Sequence, residues 1–281
     1  KIMIFYPLYH TDIVLRDNFI YTIDNLAVLK KISEKIRGKR ISINLDIDSG
    51  LKRWGVELRE VFDFVMKIKN LSNVNLFSIS THIAYTPYKN KIDASEKLER
   101  FKELSFKIKR LFPNVIFHAA NSSVFLDFPD YYFDMVRIGN LVYGIYPREV
   151  YASKQNDPSK MGIKMPWRFF AKIISVRKVK KGESFGYASE IVATRNMRIA
   201  TLPVGYSDGL GMMPTDNVYK ITEGDSFWAE INGKRAYFIT KPAISHTLID
   251  ITNIPEADLG SVVSLSIRRT SASRDIPRIY K

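Results

Sequence analysis

Cysteine is absent from all 281 residues, which excludes disulfides, thiolate nucleophiles and cysteine-ligated metals. Long apolar runs are missing too. The longest fall far short of the ~20 residues a membrane helix needs. The opening KIMIFYPLYHTD lacks the small-residue cleavage pattern of a secretory leader, so the cytoplasm is the expected compartment. Zinc-type spacings, aromatic RNA-binding signatures, internal repeats and low-complexity segments do not occur either. What remains is a chain that is 46% hydrophobic, enough for one large core or two ordinary ones.

Charge is the one strong bias. A net charge of +14 invites a nucleic-acid partner. The basic residues, however, are interleaved with acids, as in KKISEKIRGKR (30–40) and ASEKLERFKELSFKIKR (94–110). Those patterns are solvated helix faces rather than a clustered patch. A small anionic ligand suits the charge equally well, and no nucleic acid and no membrane partner is expected.

Along the first half, short apolar runs alternate with helical periodicity. Strands are predicted at 2–6, 18–22, 40–47, 74–83, 114–118 and 134–138, with helices at 26–36, 57–71 and 94–111. Asp24 and Asn25 can cap the first helix. No hairpin signal separates these strands, which argues for a parallel sheet closed as a βα barrel. Residues 148–166 are polar and read as a linker. From 167 onward strands dominate, at 168–179, 191–202, 226–231, 234–239, 246–251 and 261–267, with Asn232-Gly233 as a hairpin turn. The predicted domains are therefore a barrel over 1–147 and an all-β domain over 167–281.

The stretch 115–147, VIFHAANSSVFLDFPDYYFDMVRIGNLVYGIYP, carries the most chemistry. An apolar strand turns abruptly polar at His118, Asn121, Ser122 and Ser123, and a second strand carries Arg137 into Gly139. Polar residues at the ends of two late barrel strands are where a phosphate commonly sits. The alternative is a surface loop beside a salt-bridged Arg.

With these residues in view, the chain resembles the alanine racemases, which bind pyridoxal 5′-phosphate (PLP). The resemblance is carried by LDIDSGLKRWG (45–55), STHIA (80–84), HAANSS (118–123), DMVRIGNLVYGIYP (134–147), ESFGYASEIVA (183–193), IATLPVGYSDG (199–209), HTLIDIT (246–252) and IPRIY (276–280), in the family's order. It implies a TIM-type barrel of eight strands, six of them in this sequence, then a β domain, in a cytoplasmic head-to-tail homodimer. It also implies an isomerase that supplies D-alanine for peptidoglycan in a bacterium.

The resemblance assigns roles by position. Ser122, Gly139 and Asn140 would hold the cofactor phosphate, although Asn140 replaces a usual aliphatic residue. Arg137 would face the pyridine nitrogen. Because Arg only donates hydrogen bonds, that nitrogen would stay unprotonated. His82 would pack on the cofactor ring and link Arg137 to the catalytic phenol of Tyr187, which would enter from the partner subunit. Arg53 would meet the cofactor and the substrate carboxylate, Ile244 and Tyr206 would also bind substrate, and Tyr206 would help shape the entrance. Asp46, His118 and Asn121 would stand behind these groups. Asp46 occupies a position that many members fill with a carbamylated lysine, and would supply Arg53 with an anion. No metal is implied.

Some positions depart from the family. The lysine that carries PLP lies on its first barrel strand, in a Lys-Ala-Asn-Ala-Tyr-Gly-type motif that does not occur here. The sequence opens without Met at what resembles the third strand, so a longer polypeptide is expected to supply that lysine. Lys241, Ile244, Ser245 and Arg274 stand where Arg, Met, Asp and Tyr are usual. A long cation at Arg274 could block the pocket or recruit a larger or acidic amino acid. The alternatives are therefore a racemase for another amino acid, or a truncated, non-catalytic protein of the PLP fold.

Overall fold

Every strand of the first half runs parallel to its neighbours. In the computed structural model these are β1 (Ile2–Pro7), β2 (Phe19–Ile23), β3 (Ile41–Asp48), β4 (Val56–Glu57), β5 (Val74–Thr81) and β6 (Ile116–His118). They pair in the order β1-β2-β3-β5-β6, with β4 beside the end of β3. The structure describes residues 1–10, 15–36, 38–86, 89–144, 162–164, 166–189, 191–210, 228–240, 242–265, 267 and 272–280. These fall into two units, Lys1–Lys164 and Met165–Lys281.

The parallel arrangement follows from strands buried on both faces. In β3, Ile41, Ile43, Leu45 and Ile47 are buried, and so are Asn44 and Asp46 between them. Side chains alternate along a strand, so lateral rows form across the sheet. Leu45, Ile79 and Phe117 are register partners in one row, and Asp46, Ser80 and His118 in the next. The first row meets apolar helix stripes. Helix α1 (Leu26–Lys35) buries Leu29 and Ile32, and α2 (Val61–Lys69) buries Val61, Phe64, Val65 and Ile68. Helix α3 (Lys91–Lys109) buries Leu98, Phe101 and Ile108, with Phe101 edge-on to Phe117 and Phe133. Asn25 caps α1, accepting from the Ala27 and Val28 N–H groups, while Asp24 accepts from Gly55.

The polar rows satisfy one another instead. Asn44 donates to Thr22 and Ser80, and Ser78 donates back to Asn44. Such a network fixes the register of three strands, because a one-residue slip would bury every partner unpaired.

One predicted strand is not formed. Residues 134–138 make a single parallel bridge, Asn121 to Arg137. The Asp134 N–H reaches the Phe117 carbonyl and the Arg137 N–H the Ala120 carbonyl, at 3.0 and 2.8 Å. Just before Asp134, Phe133 has φ of 55°, and α4 (Ser122–Asp127) starts soon after β6 on the other side. The ladder has no room to continue. The sixth strand is β4, which sequence reading missed because two residues carry no periodicity.

The second unit is antiparallel. Its strands are β7 (Phe169–Lys172), β8 (Ser175–Val179), β9 (Ser184–Phe185), β10 (Ile191–Val192), β11 (Met197–Leu202), β12 (Trp228–Ile231), β13 (Lys234–Phe238), β14 (Thr247–Asp250) and β15 (Val262–Leu265). β9 pairs with β10, and the other seven run in the order β7-β15-β12-β13-β14-β11-β8. β7 and β8 are consecutive in the chain yet lie at opposite ends of that order. Ile173 donates to Ser261 beside β15 and Ile174 to Thr201 in β11. One continuous run therefore joins both edges and curls the sheet closed, removing its exposed edges. The Asn232-Gly233 turn has φ of 49° and 78°, as the twist of a two-residue hairpin requires.

The expected linker at 148–166 lies outside the described residues apart from 162–164 and 166. No helix among the described residues is long and apolar enough to cross a membrane.

Candidate active site

The carboxyl ends of β3, β5 and β6 open into a cavity of about 720 Å³. Its walls are aromatic (Phe5, Tyr6, Trp54, His82, Tyr85), and its polar groups are Asp46, Arg53, Ser122, Arg137, Gly139 and Asn140. The polar ends of the strands deliver these groups, and the loops that follow fix them.

Arg137 is the most constrained. Its Nη2 donates to the Thr81 carbonyl at 2.7 Å and its Nη1 contacts His118 Nδ1 at 3.0 Å. Its guanidinium carbon is 5.5 Å from the centre of the Phe5 ring. Burial pulls its pKa down from the usual arginine value; the Asp46 charge opposes this and the Arg53 charge adds to it. Guanidinium can only donate, so His118 Nδ1 accepts and Nε2 carries the proton. His118 is fully buried, and Nε2 has no partner among the described residues. Burial, then the Arg137 charge, pulls the His118 pKa down to about 3 against an opposing pull from Asp134. Burial, Arg137 and Arg53 do the same to His82, to about 4. Both imidazoles are neutral at neutral pH. The imidazole hydrogen-bonded to Arg137 is thus His118, while His82 feels Arg137 through its charge.

Ser122 opens α4. Asn121 caps that helix through its side-chain oxygen, accepting from Ser123 and Val124, and its Nδ2 donates to the Ile83 carbonyl. The Ser122 hydroxyl oxygen accepts from the Gly139 and Leu141 N–H groups at 3.2 and 3.4 Å. Both lone pairs are then engaged, which leaves its O–H to donate. Asn140 begins a 3-10 turn, Asn140–Tyr143, whose first N–H groups have no partner within the turn. Nothing lies within 4 Å of where a Gly139 side chain would sit. The cradle is open, donor-rich and suited to an anion.

Asp46 is buried and accepts from Ser80. Burial raises its pKa, while Ser80, Arg137, Trp54 and Arg53 pull the other way. Among the described residues it forms no salt bridge with Arg53. The Arg53 guanidinium instead lies 3.9 Å above the Trp54 ring.

The remaining sequence-predicted residues lie in the second unit. Tyr187 stands on an exposed turn with positive φ at Ala188 and Ser189; it is 69% exposed, and its ring is 6.0 Å from that of His246. Tyr206 and Ile244 are brought together by backbone bonds, Tyr206 to Ala243 and Ser207 to Ile244, both at 3.0 Å. Gly205 permits this, since a Cβ there would lie 2.2 Å from the Ala243 carbonyl oxygen. Arg274 and Ser245 are exposed. Sequence reasoning missed Phe5, Tyr6, Trp54 and Tyr85 as cavity walls. Trp54 had a signal, lying between Arg53 and Gly55 in a quoted motif.

A family model described as alanine racemase, N-terminal domain, matches residues 1–147, and one described as alanine racemase, C-terminal domain, matches 167–277. The chain is 27% identical over 252 residues to an alanine racemase of Halothermothrix orenii, covering 89% of this chain and 60% of that one. It is 28% identical over 261 residues to alanine racemase 1 of Clostridium acetobutylicum, covering 92% and 64%. The chain thus spans less than two thirds of the length of these relatives. Among solved structures, alanine racemase of Clostridium difficile 630 superposes with a TM-score of 0.72 at 23% identity, over 90% of this chain and 63% of that one. The enzyme of Streptomyces lavendulae gives 0.73 at 20% identity, over 90% and 64%. These structural likenesses speak to the fold, a βα barrel with a β domain.

Proposed function

Because this chain belongs to the alanine racemase family, we propose that it forms the cofactor barrel and β domain of a PLP-dependent racemase that interconverts L- and D-alanine. The residues of the cavity fit PLP. A ring-sized, aromatic-walled space has an anion cradle at Ser122 and a fixed cationic donor at Arg137. The observation that carries the reading is Arg137 itself, clamped between His118 and the Thr81 carbonyl with one face to the cavity.

When bound, PLP would acidify the Cα–H of an amino acid joined to it. The residues here then divide the work. Ser122 O–H and the backbone at Gly139 and Asn140 would hold the phosphate, the Gly139 N–H exchanging the Ser122 oxygen for it. Arg137 would donate toward the ring nitrogen without giving up a proton, a contact that would favour prompt return of the Cα proton over side reactions. Arg53 binds the substrate carboxylate, and His82 packs near the ring as a neutral imidazole. Tyr187 moves the proton on one face, entering from the partner in a head-to-tail homodimer. The opposite face needs a lysine, which the motifs of this sequence do not supply. D-Alanine made this way would enter peptidoglycan in a bacterial cytoplasm.

A second reading is a PLP-binding protein without catalysis, for which the cradle at Ser122 and the donor at Arg137 suffice. Both readings share the phosphate cradle, which is tested by titrating the protein and its Ser122→Ala variant with PLP and with pyridoxal. Loss of a charge-assisted hydrogen bond should weaken PLP about tenfold or more and leave pyridoxal unchanged. Equal effects on both ligands would remove the phosphate from Ser122. Chirality of alanine after incubation then separates enzyme from binder.

A further inference from the structure

Arg53 and Asp46 both face the cavity, yet their charges do not meet. Trp54 lies beside both. Its ring carries the Arg53 guanidinium at 3.9 Å, and its indole is near enough to the Asp46 carboxyl to favour the charged form. The Tyr6 ring braces it edge-on at 6.0 Å. The backbone beneath is equally fixed. Gly55 has φ of +112° and lies so close to β3 that a Cβ would come within 2.6 Å of the Asp48 nitrogen. Its N–H is held by Asp24, and β4 then pairs with β3 through Val56 and Ile47.

We propose that Trp54 is a positioning residue that couples Asp46 to Arg53 and holds the guanidinium ready for a ligand carboxylate. This deepens the proposed function and rests on its placing of Arg53 at the substrate carboxylate. An N–H that donates to an anion leaves the indole more electron-rich, which strengthens attraction of a cation over its face. A direct Asp46–Arg53 ion pair would spend the guanidinium's N–H edge on Asp46. Stacking uses its flat face instead and leaves the N–H edge for the ligand. Among the described residues no hydrogen bond occupies that edge.

The test begins without cofactor. The chain has three tryptophans, so the Trp54 indole N–H resonance can be assigned by its loss in Trp54→Phe. Asp46→Asn should move that resonance upfield. An unmoved resonance would overturn the coupling, whether or not the protein is a racemase. With PLP bound, the KM for alanine should rise about twofold in Trp54→Phe, which keeps the stack. In Trp54→Leu, which loses it, the rise should be about fivefold, with kcat within a factor of two in both. Phe and Leu variants with equal KM, or kcat falling as far as KM rises, would overturn the positioning role. If PLP does not bind or alanine is not racemised, the proposed function falls while the resonance test still decides the coupling.

Discussion

Arg137 Nη1 lies 3.0 Å from His118 Nδ1, and because arginine only donates, this one contact fixes the tautomer of a fully buried imidazole. The same guanidinium holds the Thr81 carbonyl at the end of β5. A single side chain from a loop therefore ties together the ends of two adjacent barrel strands. It does so while lining the cavity, so the cation that suits the chemistry also fastens the scaffold.

The buried imidazoles make stability depend on pH. His82 has its pKa lowered from 6.5 to about 4, by burial first and then by Arg137 and Arg53. Between those values the unfolded chain binds a proton that the folded chain refuses, so stability rises with pH through that window and is lost on acidification. Asp46, raised by burial, works in the opposite sense, since its folded form retains a proton as pH rises. Replacing His82 with Gln should remove up to about 3 kcal/mol of this pH dependence. Denaturant midpoints measured from pH 4 to 7 should be flatter in the variant than in the parent. Parallel curves would mean that His82 titrates normally.

Gly55→Ala should destabilise the barrel unit by about 2–4 kcal/mol, since it combines a backbone conformation disfavoured by a side chain with a collision against Asp48 and Ile47 backbone atoms. Gly38→Ala is the control. It also has positive φ, but nothing lies within 4 Å of the added Cβ, so only the conformational cost of about 1 kcal/mol applies. Thermal unfolding of both variants checks this. Equal losses would show that the close approach to β3 is unimportant.

The fold was legible where burial imposes a period. Ile43, Leu45 and Ile47 announce β3, and the alternating run of β13 with its Asn232-Gly233 turn announces the hairpin. Segment 134–138 misled because Met135, Val136 and Ile138 read as an apolar strand, whereas its backbone makes only one bond to β6, at Phe117, and one just past it, at Ala120. β7 and β8 read as one strand, which they are in extension but not in pairing, because partner choice leaves no local trace. At the site, Ser122, Arg137 and His118 were legible from polar residues at strand ends. Trp54 and Phe5 were not, because aromatic residues beside a strand read as packing until their rings are seen around a cavity.

The proposal that Tyr187 serves the partner's site is tested by complementation. Tyr187→Phe and Arg53→Ala should each be inactive alone. In a head-to-tail dimer, half of the heterodimer sites would carry both substitutions and half neither. Mixing the two under conditions that exchange subunits should therefore restore activity, to about a quarter of the parental value for random pairing of equal amounts. A mixed, dimeric preparation that stays inactive would place Tyr187 in its own subunit's site or outside any site.

The most direct measurement is isotope incorporation into alanine. The full-length protein loaded with PLP is incubated with L-alanine in D₂O, and both the chirality and the Cα label are followed by chiral chromatography with mass detection. Removal and return of one proton on opposite faces predicts D-alanine carrying one Cα deuterium, approaching an equal mixture with L-alanine, and loss of that conversion in Tyr187→Phe. Alanine that remains entirely L and unlabelled while PLP is demonstrably bound would contradict the racemase account.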